Sequence, residues 1–256
     1  MLGANMTNNN KSAHPSMIIM KRELAAYFSS PIAYIVICIN IILLSLAFFK
    51  GLFLGYNFFL YKSADMRIMF LFQSILLTLF VPILTMKLYS DEKRSGSLET
   101  LMTLPVTETA VVTGKTLAAF ITSLAVIAPS IFFPILISFC GKLDVNQIIA
   151  GYLGLVLVCA LFSTIGVFAS SVTKHQIVSL FVSLPASAVL MSIYVPFSIP
   201  KSVPRFIDEF FKFISTFEHF TSISHGIIDI RDILYFVTVT AFFFCLTVVT
   251  QQNERK

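Results

Sequence analysis

The sequence predicts an all-α integral membrane protein, and three observations carry that prediction. Hydrophobic residues make up 57% of the 256-residue chain and charged residues only 12%, about half the ~25% of a soluble domain. The apolar residues are gathered into six uncharged runs, Leu24–Phe49, Ile68–Met86, Thr116–Gly141, Val145–Thr173, His175–Pro200 and Ile233–Asn253, each of 19 residues or more. A helix needs roughly 20 to cross hydrocarbon. Within the runs the apolar residues are continuous, whereas barrel strands alternate over about 10 residues, so a β-barrel is excluded.

Taken in order, residues 1–16 are polar, Asn-rich and without periodicity, which predicts a disordered tail. A single transmembrane domain then occupies 17–256. Met17–Pro31 combines the basic pair Lys21 and Arg22 with Ile18, Ile19, Leu24, Tyr27 and Phe28, a pattern suited to a short interfacial helix that turns inward at Ser30–Pro31. Six spans are predicted at about 32–54, 67–88, 115–140, 147–170, 176–198 and 233–251. Pro82, Pro129, Pro134 and Pro185 mark positions where those helices kink or break.

Between the second and third spans lies Lys87–Lys115, the largest polar feature of the body, with eight charged residues. A charge at the bilayer centre costs at least ~2.5–3.5 kcal/mol, so this stretch sits outside the hydrocarbon. Ser90 is placed to cap a helix opening with Asp91 and Glu92, where the positive end of the helix dipole favours acids. Gly96 interrupts the pattern, and Leu98, Leu101, Met102 and Leu104 give an apolar stripe ending at Pro105. Such a stripe reads equally as a solvated helical loop or as a ridge that docks into a soluble partner.

Basic residues in short loops set the orientation. With the N-terminus inside, ten lie on the cytoplasmic side (Lys11, Lys21, Arg22, Lys87, Lys93, Arg94, Lys115, Lys174, Arg255, Lys256) against four outside (Lys50, Lys62, Arg67, Lys142). Both termini are therefore expected in the cytoplasm. The longer outer segment Lys201–Asp232 places Phe206, Ile207, Phe210, Phe211, Phe213, Ile214, Phe217 and Phe220 on one half of a helix. One amphipathic helix along the outer membrane surface is expected, serving as a lid or, more simply, as a seal between spans five and six.

Several function classes lack their residues. The span interiors hold no Asp, Glu, Lys or Arg, which counts against an ion-coupled carrier; Asn40 and Gln73 read as interhelical glue. The histidines show no metal-ligand spacing, and no GxSxG, HExxH or SxxK occurs, so no enzyme is expected. Met66 and Met69 read as packing before metal binding, and the four cysteines as small buried hydrophobes. Gly114-Lys115-Thr116 mimics the end of a P-loop, but Thr109 stands where that motif needs glycine. No basic patch supports a nucleic-acid partner.

The run Asp91-Glu92-Lys93-Arg94-Ser95-Gly96-Ser97-Leu98-Glu99-Thr100-Leu101-Met102-Thr103-Leu104-Pro105-Val106, followed by Gly114-Lys115, resembles the cytoplasmic loop of ABC-2 type transporter permeases. That loop reads E-x-[KR]-x-G-[ST]-[LM]-E-x-L-L-x-x-P, with Gly-Lys opening the next helix. Lys21-Arg22-Glu23, with Ser30-Pro31 and Tyr34, is similar to the family's N-terminal helix, and Phe220–Asp232 to the segment before helix six in the GldF/NosY-like branch. His225 stands where that branch often has Arg, and no large outer domain is present.

The resemblance implies a type V exporter-like permease fold with a cytoplasmic coupling helix after the second span. It also implies a permease subunit of an ATP-driven exporter in the bacterial inner membrane, working as a homodimer or heterodimer with two copies of a separate ABC ATPase. ATP would be bound by that partner and no cofactor by this chain, whose other contact is membrane lipid. Position by position, Glu92, Arg94, Gly96, Leu98, Glu99 and Leu101 would meet the ATPase, with Gly114 and Lys115 at the base of the third span. A channel or secondary carrier without an ATPase is the alternative. The substrate stays open.

Overall fold

The computed structural model describes residues 14–51, 65–97, 107–139, 141, 143–193, 205–227 and 229–255, with backbone alone for 205–208. Every regular element among them is helical: α1 (Pro15–Ser29), α2 (Pro31–Lys50), α3 (Arg67–Thr85), α4 (Ser90–Ser95) and α5 (Glu108–Ile127), which runs through a 3-10 turn (Ala128–Ile131) into α6 (Phe132–Ser138). They are followed by α7 (Val145–Val172), α8 (Gln176–Ser192), α9 (Arg205–Ile214), α10 (Thr216–Ser224) and α11 (Ile230–Glu254). Among the described residues, five stretches are long and apolar enough to cross a membrane: α2, α3 with α4, α5 through α6, α7 and α11. The apolar α8 has 17 residues.

Local chemistry sets the breaks. Ser30 separates α1 from α2 with an extended backbone and a side chain that accepts from the Ile32 N–H, and Pro31 opens α2 where no N–H partner is needed. Pro129 sits in the 3-10 turn that interrupts the third span. Pro82 and Pro185 are carried inside α3 and α8 without ending either helix.

The bundle is built around α7, which packs against α3, α5, α8, α10 and α11. Its residues Leu161 to Val167 are all buried, so this stretch is covered on every side rather than along one stripe. Small residues set the approach of α3. A Cβ on Gly166 would lie 1.9 Å from Thr85 Oγ1, and one on Gly151 would lie 2.4 Å from the Phe70 ring. Lipid offers no hydrophobic force between helices, so close backbone approach of this kind is what brings them together.

Polar residues inside the spans find one another. Asn40 and Gln73 form a reciprocal amide pair at 3.4 Å, and Asn40 Nδ2 also donates to the Val126 carbonyl oxygen at 3.2 Å. This joins α2, α3 and α5, the gluing role expected of both residues. Met66 and Met69 are buried completely in the core.

Three expectations change. Cys38 and Cys245 are exposed where buried positions were expected, and Cys159 alone of the described cysteines is buried. In place of one surface helix through Phe220, the chain breaks at Ser215, whose extended backbone starts α10. The new direction buries Phe220 and Ile223 against α7, opposite Gly154, where an added Cβ would meet the Phe220 ring at 3.1 Å. Ser90 is the first residue of α4 rather than its cap, and its hydroxyl donates back to the Met86 carbonyl.

Candidate functional site

One end of the bundle gathers α1, α4, the starts of α5 and α8, and the ends of α7 and α11; the short helix α4 is its hub. The Ser170 hydroxyl of α7 accepts from the backbone N–H groups of Tyr89 and Ser90 at 2.9 and 3.1 Å. It therefore satisfies the free donors at the start of α4 from another helix. Asp91 accepts from Gln176 at the start of α8. Lys93 donates to the Ser171 carbonyl of α7 and pairs with Glu254 at the end of α11. Arg255 closes the ring by pairing with Glu108 at the start of α5.

The tightest part is a four-charge cluster joining α1, α4 and α5. Arg22 Nη2 lies 2.6 Å from Glu23 Oε1 and 2.7 Å from Glu92 Oε1. The Lys115 ammonium donates to Glu23 Oε1 at 3.2 Å and to the Leu88 carbonyl at 2.7 Å. It also lies 2.9 Å from Glu92 Oε2, an ion pair without hydrogen-bond alignment, and 4.8 Å from the centre of the Tyr89 ring. Lys115 is 0% exposed. A buried cation of this kind persists only when paired and hydrogen-bonded, and here two carboxylates balance two cations.

Electrostatics follow that geometry. Burial pushes the Glu23 carboxyl up, but Lys115 and the Arg22 guanidinium outweigh it and hold the group below its ordinary range. Burial works against the Arg22 charge too, yet Glu23 and Glu92 raise its value. Burial, and then the nearby carboxylates, push the Tyr89 phenol well up. The hydrogen bond from Arg255 holds Glu108 down.

Helix α1 is seated on this cluster by packing as well as charge. A Cβ on Gly114 would lie 2.7 Å from the Ser16 carbonyl oxygen and 2.9 Å from Ile19 Cβ, so glycine lets α1 lie directly on α5. Tyr27 of α1 donates to the Leu84 carbonyl at 2.8 Å, and the Lys87 ammonium sits 4.6 Å from the centre of its ring.

The structure thus brings Glu92, Gly114 and Lys115 into one buried contact zone. Arg94 and Gly96 lie at the exposed tip of α4, and Gly96 ends the helix in the left-handed region at φ 74°. Leu98, Glu99 and Leu101 lie outside the described residues. Arg22, Glu23, Tyr89 and Ser170 were not among the predicted site residues. Arg22 and Glu92 are 70 residues apart in sequence, and Glu23 and Lys115 are 92 apart, so no local spacing signals either pairing; the N-terminal Lys21-Arg22-Glu23 resemblance was the one available sign.

A family model described as ABC-2 family transporter protein matches residues 61–249. No curated protein matches the chain. Members of this family work with an ABC ATPase, and the chain belongs to it: it is a multi-pass membrane protein of the ABC-2 family and the permease component of an ABC transporter.

Proposed function

We propose that the chain is the permease of an ATP-driven exporter in the bacterial inner membrane, similar to the GldF/NosY-like branch. In this reading it has six spans, α8 continuing into the fifth, and both termini cytoplasmic with the charged end. It pairs with a second permease, identical or not, and two ATPase subunits drive the assembly. The coupling element is α4 with the segment after it. Arg94, Gly96, Leu98, Glu99 and Leu101 meet the ATPase, and Glu92 carries the displacement inward to α1 and α5.

The observation that supports this is how α4 is held. Its exposed tip is free for a partner, while its base is bonded to α1, α5, α7, α8 and α11. A push on the tip reaches the ends of these helices without crossing a flexible joint. A carrier or channel needs no such hub.

The test is co-purification with the cognate ATPase and transport-linked ATP hydrolysis for Arg94→Glu and Leu98→Asp, each checked for normal insertion. Both variants are expected to insert and to lose the complex. Wild-type association and coupled hydrolysis in both would remove α4 and its following segment from the coupling role.

A further inference from the structure

Helix α3 loses a rung of its hydrogen-bond ladder at two places, and a serine from another helix fills each. In an unbroken α-helix the N–H of residue 82 would donate to the Thr78 carbonyl, but Pro82 has no N–H to give. The Ser187 hydroxyl of α8 donates to that carbonyl instead, at 3.2 Å. Two turns on, the corresponding rung would run from the Ser90 N–H to the Met86 carbonyl. Residues 86–89 form a turn there, and the Ser170 hydroxyl of α7 stands in the gap. It accepts from the Ser90 N–H at 3.1 Å and donates to the Met86 carbonyl at 3.1 Å. A side chain inserted into the ladder in this way breaks a helix.

Packing sets Ser170 for the task. It is fully buried and lies one turn from Gly166 on α7, whose missing Cβ lets Thr85 approach. Its hydroxyl also accepts from the Tyr89 N–H at 2.9 Å. Two bonds accepted and one donated are the whole capacity of a hydroxyl.

The two gaps differ in one respect. At Thr78 the gap is permanent, because proline can never supply the donor. At Met86 both original partners are present: Ser90 keeps its N–H and Met86 its carbonyl. Withdrawal of Ser170 would leave buried groups unpaired, which is costly, and they satisfy one another when the rung closes.

We propose that the α3–α4 junction is a hinge with two hydrogen-bonded forms, and that Ser170 is the positioning residue that selects between them. With its hydroxyl inserted, α4 is a separate helix tied to α7. With the hydroxyl withdrawn, the Ser90 N–H closes on the Met86 carbonyl and α3 runs on into α4. An element with two discrete arrangements is what carries a displacement between distant helices. The hinge stands on its own geometry; its part in transport rests on the coupling role of α4 proposed above.

The test uses the full-length chain in detergent, with Cys38, Cys140, Cys159 and Cys245 replaced by alanine and nitroxide labels at Leu79→Cys and Ser95→Cys, both exposed positions. Pulsed electron paramagnetic resonance reads their separation, and singly labelled chains identify any distance between copies. As unbroken helix this stretch would span about 24 Å, at 1.5 Å per residue. The unmodified junction is expected to give one separation, and Ser170→Ala a second one, that of the unbroken helix. Ser187→Ala removes an equally buried hydroxyl but opens no alternative rung, so its separation should match that of the unmodified junction. An unchanged separation in correctly folded Ser170→Ala, or the same shift in Ser187→Ala, overturns the proposal. Where Ser170→Ala does not fold, Ser170→Gly removes the same hydroxyl and decides by the same criterion. With the cognate ATPase, Ser170→Ala should keep the complex and lower transport-linked hydrolysis about tenfold, the scale of one buried hydrogen bond. A shifted separation with normal hydrolysis upholds the hinge and removes α4 from the coupling role, so the two failures are distinguishable.

Discussion

The two ends of the bundle treat buried charge in opposite ways. At the hub, Arg22, Glu23, Glu92 and Lys115 form a closed set of two cations and two carboxylates, and Lys115 has carboxylate, carbonyl and aromatic neighbours. At the far end, Asp232 has one oxygen against His219 and the other without a hydrogen-bond partner among the described residues. A closed set resists being pulled apart, because separating any member strands another in a poorly solvated place. The far-end pair links α10 and α11 alone, so breaking it strands fewer partners.

The largest expected effect breaks the closed set. Lys115→Met leaves Glu23 and Glu92 facing one another without their buried cation and should cost about 3–5 kcal/mol of stability, read as a lower melting temperature of the purified chain. Asp232→Asn keeps a carbonyl oxygen for His219 and has no second partner to lose, so its cost should be clearly smaller. Equal losses in the two variants would erase the contrast between the ends.

Next is the seat of the cluster. Gly114→Leu drives a side chain into the Ser16 carbonyl and Ile19, and overpacking of this kind costs about 1–3 kcal/mol. Displacement of α1 should also expose Lys115, so thermal destabilisation is expected together with faster chemical labelling of its amine. Destabilisation without labelling would mean that α1 does not cover the cluster.

A pH series sharpens the comparison further. The Glu23 carboxyl is held below its ordinary range by Lys115 and Arg22. Its contribution is therefore complete above the unfolded value of about 4.3 and is lost as pH falls through the lower folded value. The melting temperature of the wild-type chain should drop across that acid range, and Glu23→Gln should flatten the drop. A slope that Glu23→Gln leaves unchanged would place the acid sensitivity elsewhere.

The smallest effect is expected at the tip of α4. Gly96 has φ 74°, and a Cβ added there would meet nothing within 4 Å, so Gly96→Ala carries a backbone cost alone, about 1 kcal/mol. It should weaken ATPase docking slightly and lower the melting temperature of the isolated chain by only about 2–4 °C. A large loss of chain stability would show that the turn holds the hub together.

Some of this was legible in the sequence because it depends on neighbours in the chain. Composition and run length are local, and they placed the long helices and the polar stretch between α3 and α5. Gly114 and Lys115 stood out at the base of α5, and Asn40 and Gln73 as polar residues in apolar runs. Their partners were not legible. The start of α4 is capped by Ser170, 80 residues from Ser90, where local capping rules pointed to Ser90 itself. The amphipathic plot through Phe220 was continuous, yet the chain turns at Ser215, since Phe220 and Ile223 gain more by burial against α7 than along the membrane surface.

The sequence alone determined that the chain is a bundle of membrane helices with its densest charge between the second and third, because water and hydrocarbon sort residues by composition. Only the tertiary structure decided which charges neutralise one another. The positions of Lys115 and Asp232 in the chain say nothing of that difference. It arises where helices distant in sequence meet: α1, α4 and α5 surround the lysine with acceptors, while α10 and α11 give the aspartate a single histidine.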